Sequence, residues 1–335
     1  MSKLGVHVSA GNRRGFGEFL RKCSDAGSPV AVVFSVDQDV WPDVETFSPE
    51  TVVVFRHQFK NDHGEGMDGP GDMYRGNPIE SARQWMPEQM ASWQLNRAHY
   101  YAPLNEQDPA SLDDFAWLNV FTVECLRIAD TAGFKLALFG FSSGNPKHLL
   151  DGQGEVVGTP EQCWEKLLPS LKYAKAHGHI LLLHEYGFDS PAANGGRATS
   201  LRASAPYLAL RYRDAIRYLH PFEADPPVII GECSAGVGYT PDFGDAAWLL
   251  DTIWYDNELM RDAIVIGACL YQLGGAENFK AVLPVLSDYI AFHPTVDPEP
   301  DPDPEPIDAV RIVEQVAEKL QSALALCEMV TGASE

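Results

Sequence analysis

Residues 159–187 have the sequence TPEQCWEKLLPSLKYAKAHGHILLLHEYG, which contains one complete helix-and-strand unit. Apolar spacing predicts a helix from Thr159 to His177, and the apolar run that follows predicts a strand over residues 179–183. That run is interrupted by no polar residue, as is typical of a strand buried on both faces of a parallel sheet. Polar side chains appear only where the run ends, at His184-Glu185-Tyr186. The stretch therefore predicts one unit of an α/β fold.

The same unit recurs along the chain. Strands are predicted over residues 4–8, 30–34, 51–55, 99–104, 135–139, 179–183, 227–231 and 264–271. Helices are predicted near residues 16–23, 78–97, 112–132, 159–177, 206–219, 244–261 and 279–292. Eight strands close a parallel barrel, and the absence of a Gly-rich phosphate-binding motif after the first strand disfavours an open nucleotide-binding sheet. The sequence therefore predicts a (β/α)8 TIM barrel over residues 1–296.

The region after the predicted barrel has a different composition. Residues 297–306 are DPEPDPDPEP, and such alternation of acid and proline predicts a stiff, extended linker. Residues 307–335 contain apolar side chains at helical spacing and predict one amphipathic C-terminal helix. This helix could fold back onto the barrel, bind a partner or self-associate.

The charge and hydropathy of the chain restrict its partners. There are 47 acidic and 25 basic residues, giving a formal net charge of −22. Nucleic acid and anionic membranes are disfavoured by that charge, whereas an uncharged carbohydrate is compatible with it. No apolar run is long enough for a membrane span, and no signal peptide precedes the first strand, so the expected location is cytoplasmic by default. The six scattered cysteines form no CxxC pair and predict buried free thiols.

Candidate catalytic residues are found at the ends of the predicted strands, where barrel enzymes carry their chemistry. The fourth strand ends with Asn105-Glu106, and Glu232 closes the seventh. An Asn-Glu pair on strand four together with a Glu on strand seven resembles the catalytic pattern of the clan A glycoside hydrolases. The resemblance covers about residues 3–292 and depends on few positions.

The resemblance implies a retaining glycoside hydrolase that cleaves β-glycosidic bonds of an oligo- or polysaccharide by double displacement. Glu106 would be the acid/base, Glu232 the nucleophile, and Asn105 the hydrogen-bond partner of the sugar 2-hydroxyl. This chemistry needs a proton donor and a carboxylate about 5–5.5 Å apart. Neither a cofactor nor a metal is expected.

Six further residues are predicted to bind substrate. Arg56 resembles the clan's arginine that keeps the nucleophile ionised, Tyr186 resembles a tyrosine that holds it, and His184 is expected on the same wall. His57 is a candidate subsite residue beside Arg56. Tyr271 stands where the clan usually has a tryptophan under the sugar, which is a departure from the pattern.

Trp41 is the sixth predicted substrate-binding residue, because sugar rings stack on exposed aromatic side chains and Trp41 follows the second predicted strand. Glu185 ranks below Glu106 and Glu232 as a catalytic candidate. Strand alternation makes it face away from the barrel interior if His184 and Tyr186 face inward.

Two other functions remain open. The opening LGVHVSAG at residues 4–11 also resembles barrels of the endonuclease and sugar-isomerase type, which use metal clusters. His7, His57, His184 and Glu232 could form a partial ligand set for such a cluster. A catalytically inactive glycan-binding barrel is the other alternative.

Overall fold

The computed structural model describes residues 1–61, 63–188, 198–236, 238, 245–274 and 279–293. The predicted linker at 297–306 and the predicted helix at 307–335 lie outside the described residues, as do the last positions of the predicted barrel segment 1–296.

The main sheet is a ring of parallel strands. Among the described residues its eight strands are β1 (Leu4–Val8), β2 (Val32–Val36), β3 (Val52–Arg56), β4 (Tyr100–Ala102), β5 (Ala137–Phe141), β6 (Ile180–Gly187), β7 (Val228–Ala235) and β8 (Val265–Leu273). Their order is β4-β3-β2-β1-β8-β7-β6-β5. A parallel bridge between Tyr101 and Leu136 joins β4 to β5 and closes the ring. The predicted (β/α)8 TIM barrel is confirmed.

Helices surround the ring in the described part of the chain. They are α1 (Phe16–Asp25), α2 (Trp41–Phe47), α3 (Pro78–Trp93), α4 (Leu112–Ala132), α5 (Pro160–His177), α6 (Tyr212–Leu219), α7 (Asp245–Leu259) and α8 (Phe279–Ala291). The α2 helix was not predicted from the sequence. The helix predicted near 206–219 begins only at Tyr212, because Leu210 has a positive φ of 58°, which a right-handed helix cannot accommodate.

Local sequence determines where α5 begins and ends. The Thr159 hydroxyl accepts a hydrogen bond from the backbone of Gln162, while the Gln162 side chain accepts one from the backbone of Thr159 at 2.9 Å. These reciprocal bonds satisfy two amides that a helix start leaves without partners. At the other end, Gly178 takes a left-handed conformation with φ of 72°, which glycine adopts without steric cost. The last residues of α5 thus turn directly into β6.

The core has two layers, because successive side chains of a strand point to opposite faces. On β6, Ile180 and Leu182 belong to the cluster that fills the barrel interior. Leu181 and Leu183 belong to the larger cluster between the ring and the helices. The same alternation continues past Leu183 and decides which polar residues of β6 face the interior.

Strands β6 and β7 are longer than predicted. The predicted strands stop where their apolar runs stop, at residues 183 and 231, but backbone pairing continues to Gly187 and Ala235. The polar side chains of this extension are buried, and the Tyr186 hydroxyl on β6 donates to Glu232 on β7. As a consequence, His184, Tyr186 and Glu232 lie on rigid strands and not on loops.

Two further properties concern the chain as a whole. The free thiols in the described residues are all buried, at Cys23, Cys125, Cys163, Cys233 and Cys269. Burial raises the pKa of the Cys163 thiol to about 11 and that of Cys23 to about 12. In the described part of the chain, every helix is too short or too polar to cross a bilayer.

Candidate active site

A cavity of about 540 Å³ opens at the carboxyl ends of the barrel strands. Its walls combine strand residues and loop residues, and they are Arg56, Gln58, Asp68, Asn105, Glu106, Asp108, Ser142, Ser143, Asn145, Lys147, Tyr186, Phe188, Leu208, Glu232 and Tyr271. Four of the predicted site residues, Arg56, Asn105, Tyr186 and Tyr271, therefore share one cavity with both candidate catalytic glutamates. This is the position where barrel enzymes carry their active sites.

An irregularity in β7 turns Glu232 inward. Ile230 belongs to the outer layer of the core, so regular alternation would place Gly231 inside and Glu232 outside. The pairing with β6 instead passes from Ile230 opposite Leu183 to Glu232 opposite His184, and it omits Gly231. Such a bulge re-aims the side chain that follows it. A Cβ at Gly231 would lie 2.9 Å from Leu182 and 3.5 Å from His184, so glycine leaves the space that both need.

Glu106 is positioned by its backbone. It directly follows Asn105 beyond the end of β4, and its φ of 46° is in the left-handed region that side chains other than glycine rarely adopt. Its amide donates to the Gly140 carbonyl of β5 at 2.8 Å, which holds this conformation. The side chain is 38% exposed and reaches into the cavity. Glu106 is thus fixed in direction while it stays accessible to a substrate.

The two glutamates meet at His184. One oxygen of Glu106, one oxygen of Glu232 and one ring nitrogen of His184 all lie within 4.8 Å of one another. His184 Nδ1 is 2.9 Å from Glu106 Oε1 and 3.7 Å from Glu232 Oε2. The Tyr186 hydroxyl donates to Glu232 Oε2 at 2.6 Å. His184 and Tyr186 therefore face inward, as strand alternation predicts for them.

Glu232 is held as a carboxylate. Burial alone would raise its pKa, but the charge of His184, the nearby His7 and the charge of Arg56 together keep the pKa of Glu232 well below its usual range. His7 Nε2 lies 3.5 Å from Glu232 Oε1. A buried carboxylate surrounded by proton donors and positive charge is suited to attack an electron-poor carbon.

The pKa values of the two histidines beside Glu232 are shifted in opposite directions. Burial lowers the pKa of His7, and the attraction of Glu232 does not offset that effect. Burial also disfavours the charged form of His184, but the neighbouring carboxylates of Glu232 and Glu106 outweigh it and raise the pKa of His184. Of the two histidines, His184 is therefore the one whose charged form is favoured by the two glutamates.

Asn105 and Arg56 meet at Asp68. The Asn105 side-chain amide donates to Asp68 Oδ1 at 3.2 Å, and Arg56 Nη1 lies 3.8 Å from the same oxygen. The buried Asn105 Oδ1 and the buried Arg56 Nε and Nη1 have no hydrogen-bond partner among the residues that the structure describes. Because unpaired buried polar atoms are costly, these groups have unused capacity to bind a polar ligand.

His7, Asp68 and Asp108 are among the residues of the site that were not predicted as site residues. His7 appeared in the sequence only as a possible metal ligand, although its place on the inward face of β1 was a usable signal. Asp68 and Asp108 lie on loops, where no periodicity indicates direction. Asp108 accepts hydrogen bonds from the Ser142 hydroxyl and, at 2.9 Å, from Asn145. Burial, together with the charge of Glu106, raises the pKa of Asp108.

Three predicted substrate-binding residues do not line the cavity: the fully buried His184, which contacts Glu106, and also His57 and Trp41. His57 Nδ1 contacts Asp37 Oδ1, and its ring packs edge-on against Phe59 at 4.3 Å between centroids. Trp41 begins α2 and packs against His99 at 5.1 Å between ring centroids. His99 directly precedes β4, so Trp41 lies toward the amino ends of the strands. Trp41 therefore lies outside the walls of this cavity, and its role in binding a sugar stays a prediction.

The fold resembles solved structures of glycoside hydrolases. No protein-family model matches the sequence, and a search of curated proteins found no match. A GH5-4 broad-specificity endoglucanase from an uncultured bacterium is similar over 82% of this chain and 83% of its own, with 11% sequence identity and a TM-score of 0.50. At this level of identity the likeness shows a shared (β/α)8 barrel fold. The catalytic domain of a GH26 endo-β-1,4-mannanase from Bacillus sp. JAMB-750 also matches, with 14% identity, coverage of 86% and 85%, and a TM-score of 0.49.

Proposed function

We propose that this protein is a retaining glycoside hydrolase that cleaves β-glycosidic bonds of an oligo- or polysaccharide. The observation that carries the proposal is the approach of Glu106 and Glu232 to within 4.8 Å at the mouth of the barrel. Retaining enzymes hold their two carboxyl groups about 5–5.5 Å apart, whereas inverting enzymes need more room for a water molecule. The spacing therefore favours direct attack by one carboxylate.

In the first step Glu232 attacks the anomeric carbon of the sugar. The bond between that carbon and the glycosidic oxygen breaks, and its electron pair goes to the oxygen, which takes a proton from Glu106. The product of this step is a glycosyl ester on Glu232. Tyr186 and His184 fix the attacking carboxylate, and the low pKa of Glu232 keeps it ionised.

In the second step Glu106 acts as a base. It removes a proton from a water molecule, whose oxygen attacks the anomeric carbon and displaces the Glu232 carboxylate. Two inversions at one carbon give net retention. Glu106 is exposed enough to receive water, whereas Glu232 is nearly covered, and this difference in exposure matches the two roles.

The remaining cavity residues bind the sugar in this proposal. Asn105 and Arg56 present unpaired buried polar atoms to its hydroxyl groups. The Tyr271 ring packs 4.8 Å from His7 and 5.9 Å from Tyr186 between ring centroids, and it offers an aromatic surface to the apolar face of the ring. His57 stays a candidate for a more distant subsite at the outer rim, beside Asp37.

The nucleophile is tested with Glu232→Gln, which keeps the size of the side chain but removes its charge. We expect turnover of aryl β-glycosides to fall on the order of 10³-fold or more. An exposed glutamate on α3 provides the control, since Glu88→Gln should leave turnover at the parental rate. Parental turnover by Glu232→Gln on any substrate that the parent cleaves would remove the assignment.

The acid/base is tested with Glu106→Ala. Loss of the proton donor should slow glycosides with poor leaving groups by about 10²- to 10⁴-fold and activated ones much less. Added azide should restore the rate by replacing the water that Glu106 activates, and it should form a β-glycosyl azide. Equal slowing of both substrate classes, with no azide product, would count against Glu106.

A second candidate function is a metal-dependent barrel enzyme. The same three side chains, Glu106, His184 and Glu232, have the spacing of a three-ligand metal site. Catalytic zinc sites use three protein ligands and an open position. Dialysis against a chelator followed by zinc, magnesium or manganese titration distinguishes the two functions. The hydrolase should keep its activity without metal, whereas loss on chelation and recovery on titration would favour the metal enzyme.

A further inference from the structure

A second cavity of about 580 Å³ adjoins the active-site cavity. It lies between the loop after β5, the first turns of α5 and one face of α6, and it is lined by Ser143, Gly144, Lys147, His148, Pro160, Glu161, Trp164, Tyr207, Leu208, Arg211, Asp214, Arg217 and Tyr218. We call this set the α5–α6 groove. Ser143, Lys147 and Leu208 line both cavities, so the two cavities are adjacent.

The wall of the α5–α6 groove is held in place before any ligand binds. Asp214 accepts hydrogen bonds from Arg211 at 3.0 Å and from Arg217 at 2.5 Å. Arg211 also donates to the Pro146 carbonyl at 2.8 Å, which ties α6 to the loop after β5. A preformed wall reduces the ordering cost of binding.

The lining combines aromatic and polar groups. Tyr207 is 74% exposed, an unusual degree for an aromatic residue, and Trp164 and Tyr218 line the same cavity. Sugars bind through apolar ring faces on aromatic side chains and through hydroxyl groups on polar ones. In the same lining as Tyr207, Arg217 offers hydrogen-bond donors and the Glu161 carboxylate offers acceptors.

The charge of the groove indicates which sugars fit it. Three cationic side chains, Lys147, Arg211 and Arg217, stand against the two carboxylates Glu161 and Asp214. The two arginines are already paired with Asp214. The lining is thus nearly balanced, and the protein as a whole carries −22. An uncharged polymer suits this surface better than a polyanion.

We propose that the α5–α6 groove binds a further segment of an uncharged polysaccharide whose neighbouring sugars occupy the active-site cavity. This inference rests on the proposed hydrolase function and adds its substrate class. Tyr207 is the platform for one sugar ring, and Arg217 contacts its hydroxyl groups. The enzyme therefore prefers a polymer to a short glycoside.

The groove is tested by binding to soluble neutral β-glucans, mannans and xylans in affinity electrophoresis. All proteins carry Glu232→Gln so that the polymer is not cleaved. Adding Tyr207→Ala should weaken binding of the recognised polymer by about 3- to 10-fold, as expected for one aromatic contact. Phe292→Ala is the matched control, since Phe292 is an 81% exposed aromatic residue that follows α8 and lies outside both cavities. Arg217→Ala, whose side chain is 79% exposed, is a second variant that should also weaken binding.

In the Glu232-containing enzyme, Tyr207→Ala should raise the ratio of KM for the polymer to KM for an aryl glycoside. If glycosides are cleaved but Tyr207→Ala and Arg217→Ala bind polymer as the parent does, the proposal that the groove binds polysaccharide is refuted. The proposed hydrolase function then still stands. If no glycoside is cleaved but polymer binding depends on Tyr207, the groove stands and the hydrolase function falls. If no polymer of the set is bound and no glycoside is cleaved, both are overturned.

Discussion

At the scale of single residues, the site depends on one charge placed between two carboxylates. His184 contacts Glu106 and lies 3.7 Å from Glu232, and it is completely buried. Its pKa is raised by those neighbours, and in return its charge lowers the pKa of Glu232. The same histidine can therefore keep the nucleophile ionised and orient the proton donor.

This coupling makes the activity of the enzyme depend on pH in a defined direction. Attack requires Glu232 to be ionised, and its pKa is held low, so kcat/KM should stay high into the acidic range. The His184→Asn substitution removes the imidazole whose charge lowers the pKa of Glu232, so the pKa of Glu232 should rise. We expect the acidic limb of kcat/KM on an aryl glycoside to move to higher pH by about one unit.

His220→Asn is the control for the His184 variant, because it removes a histidine that pairs with Asp225, a residue outside the cavity. The acidic limb of the kcat/KM profile of His220→Asn should coincide with that of the parent enzyme. An unmoved limb in His184→Asn, with the protein folded, would show that His184 does not set the charge of Glu232.

At the scale of secondary-structure elements, Glu185 connects the barrel to its helix layer. It lies between His184 and Tyr186 but faces outward, and it is fully buried. Its carboxylate accepts hydrogen bonds from the amides of Leu210 and Tyr212 and from the Tyr255 hydroxyl at 2.5 Å. It thereby anchors the loop before α6, which carries part of the groove wall, to α7.

Burial raises the pKa of Glu185 to about 7, although its hydrogen bonds oppose the shift. An acid whose pKa is higher in the folded state contributes most stability below its unfolded pKa, near 4.5, and loses that contribution as pH rises through about 7. The loss amounts to about 3 kcal/mol in the free energy of unfolding. Relative to the parent, Glu185→Gln should therefore gain stability between pH 4.5 and 7.

Denaturant unfolding of both proteins at several pH values measures this difference. Glu88→Gln, an exposed substitution on α3, should follow the parental curve throughout. Parallel curves for the parent and Glu185→Gln over this range would contradict a titrating buried carboxylate.

The elements also show what a sequence can predict. The eight strands follow from their apolar runs, and the inward direction of His184 and Tyr186 follows from alternation. Glu232 is different, since regular alternation from Ile230 would point it outward, and only the bulge at Gly231 turns it in. The choice of Glu232 came from its place at the end of strand seven. A bulge depends on pairing with the neighbouring strand, so residue spacing alone does not reveal it.

Loop residues were beyond prediction for a related reason. Asp68 and Asp108 reach the cavity through hydrogen bonds to Asn105, Ser142 and Asn145, which are formed only after the barrel has brought distant segments together. Trp41 follows a strand end in the sequence, but a short helix begins at this residue and its ring packs against His99. Its contact with a sugar stays a prediction.

At the scale of the whole molecule, the sequence leaves three roles open for the predicted amphipathic helix at 307–335: folding back onto the barrel, binding a partner and self-association. If the helix self-associates, the full chain is oligomeric and a chain ending at residue 296 is monomeric, as measured by light scattering after size exclusion. The double substitution Leu320→Glu and Leu324→Glu, on the apolar stripe, should have the effect of the truncation. Equal masses for the full and truncated chains would exclude self-association through this segment.

The buried thiols have a consequence for how the barrel opens. A thiolate forms rarely at a raised pKa and reagents cannot reach it inside the core, so each cysteine reacts only when its own sector has opened. The five positions are distributed around the ring, on α1, α4, α5, β7 and β8. Timed alkylation followed by mass spectrometry would therefore give the order in which the sectors loosen, with no label added to the chain.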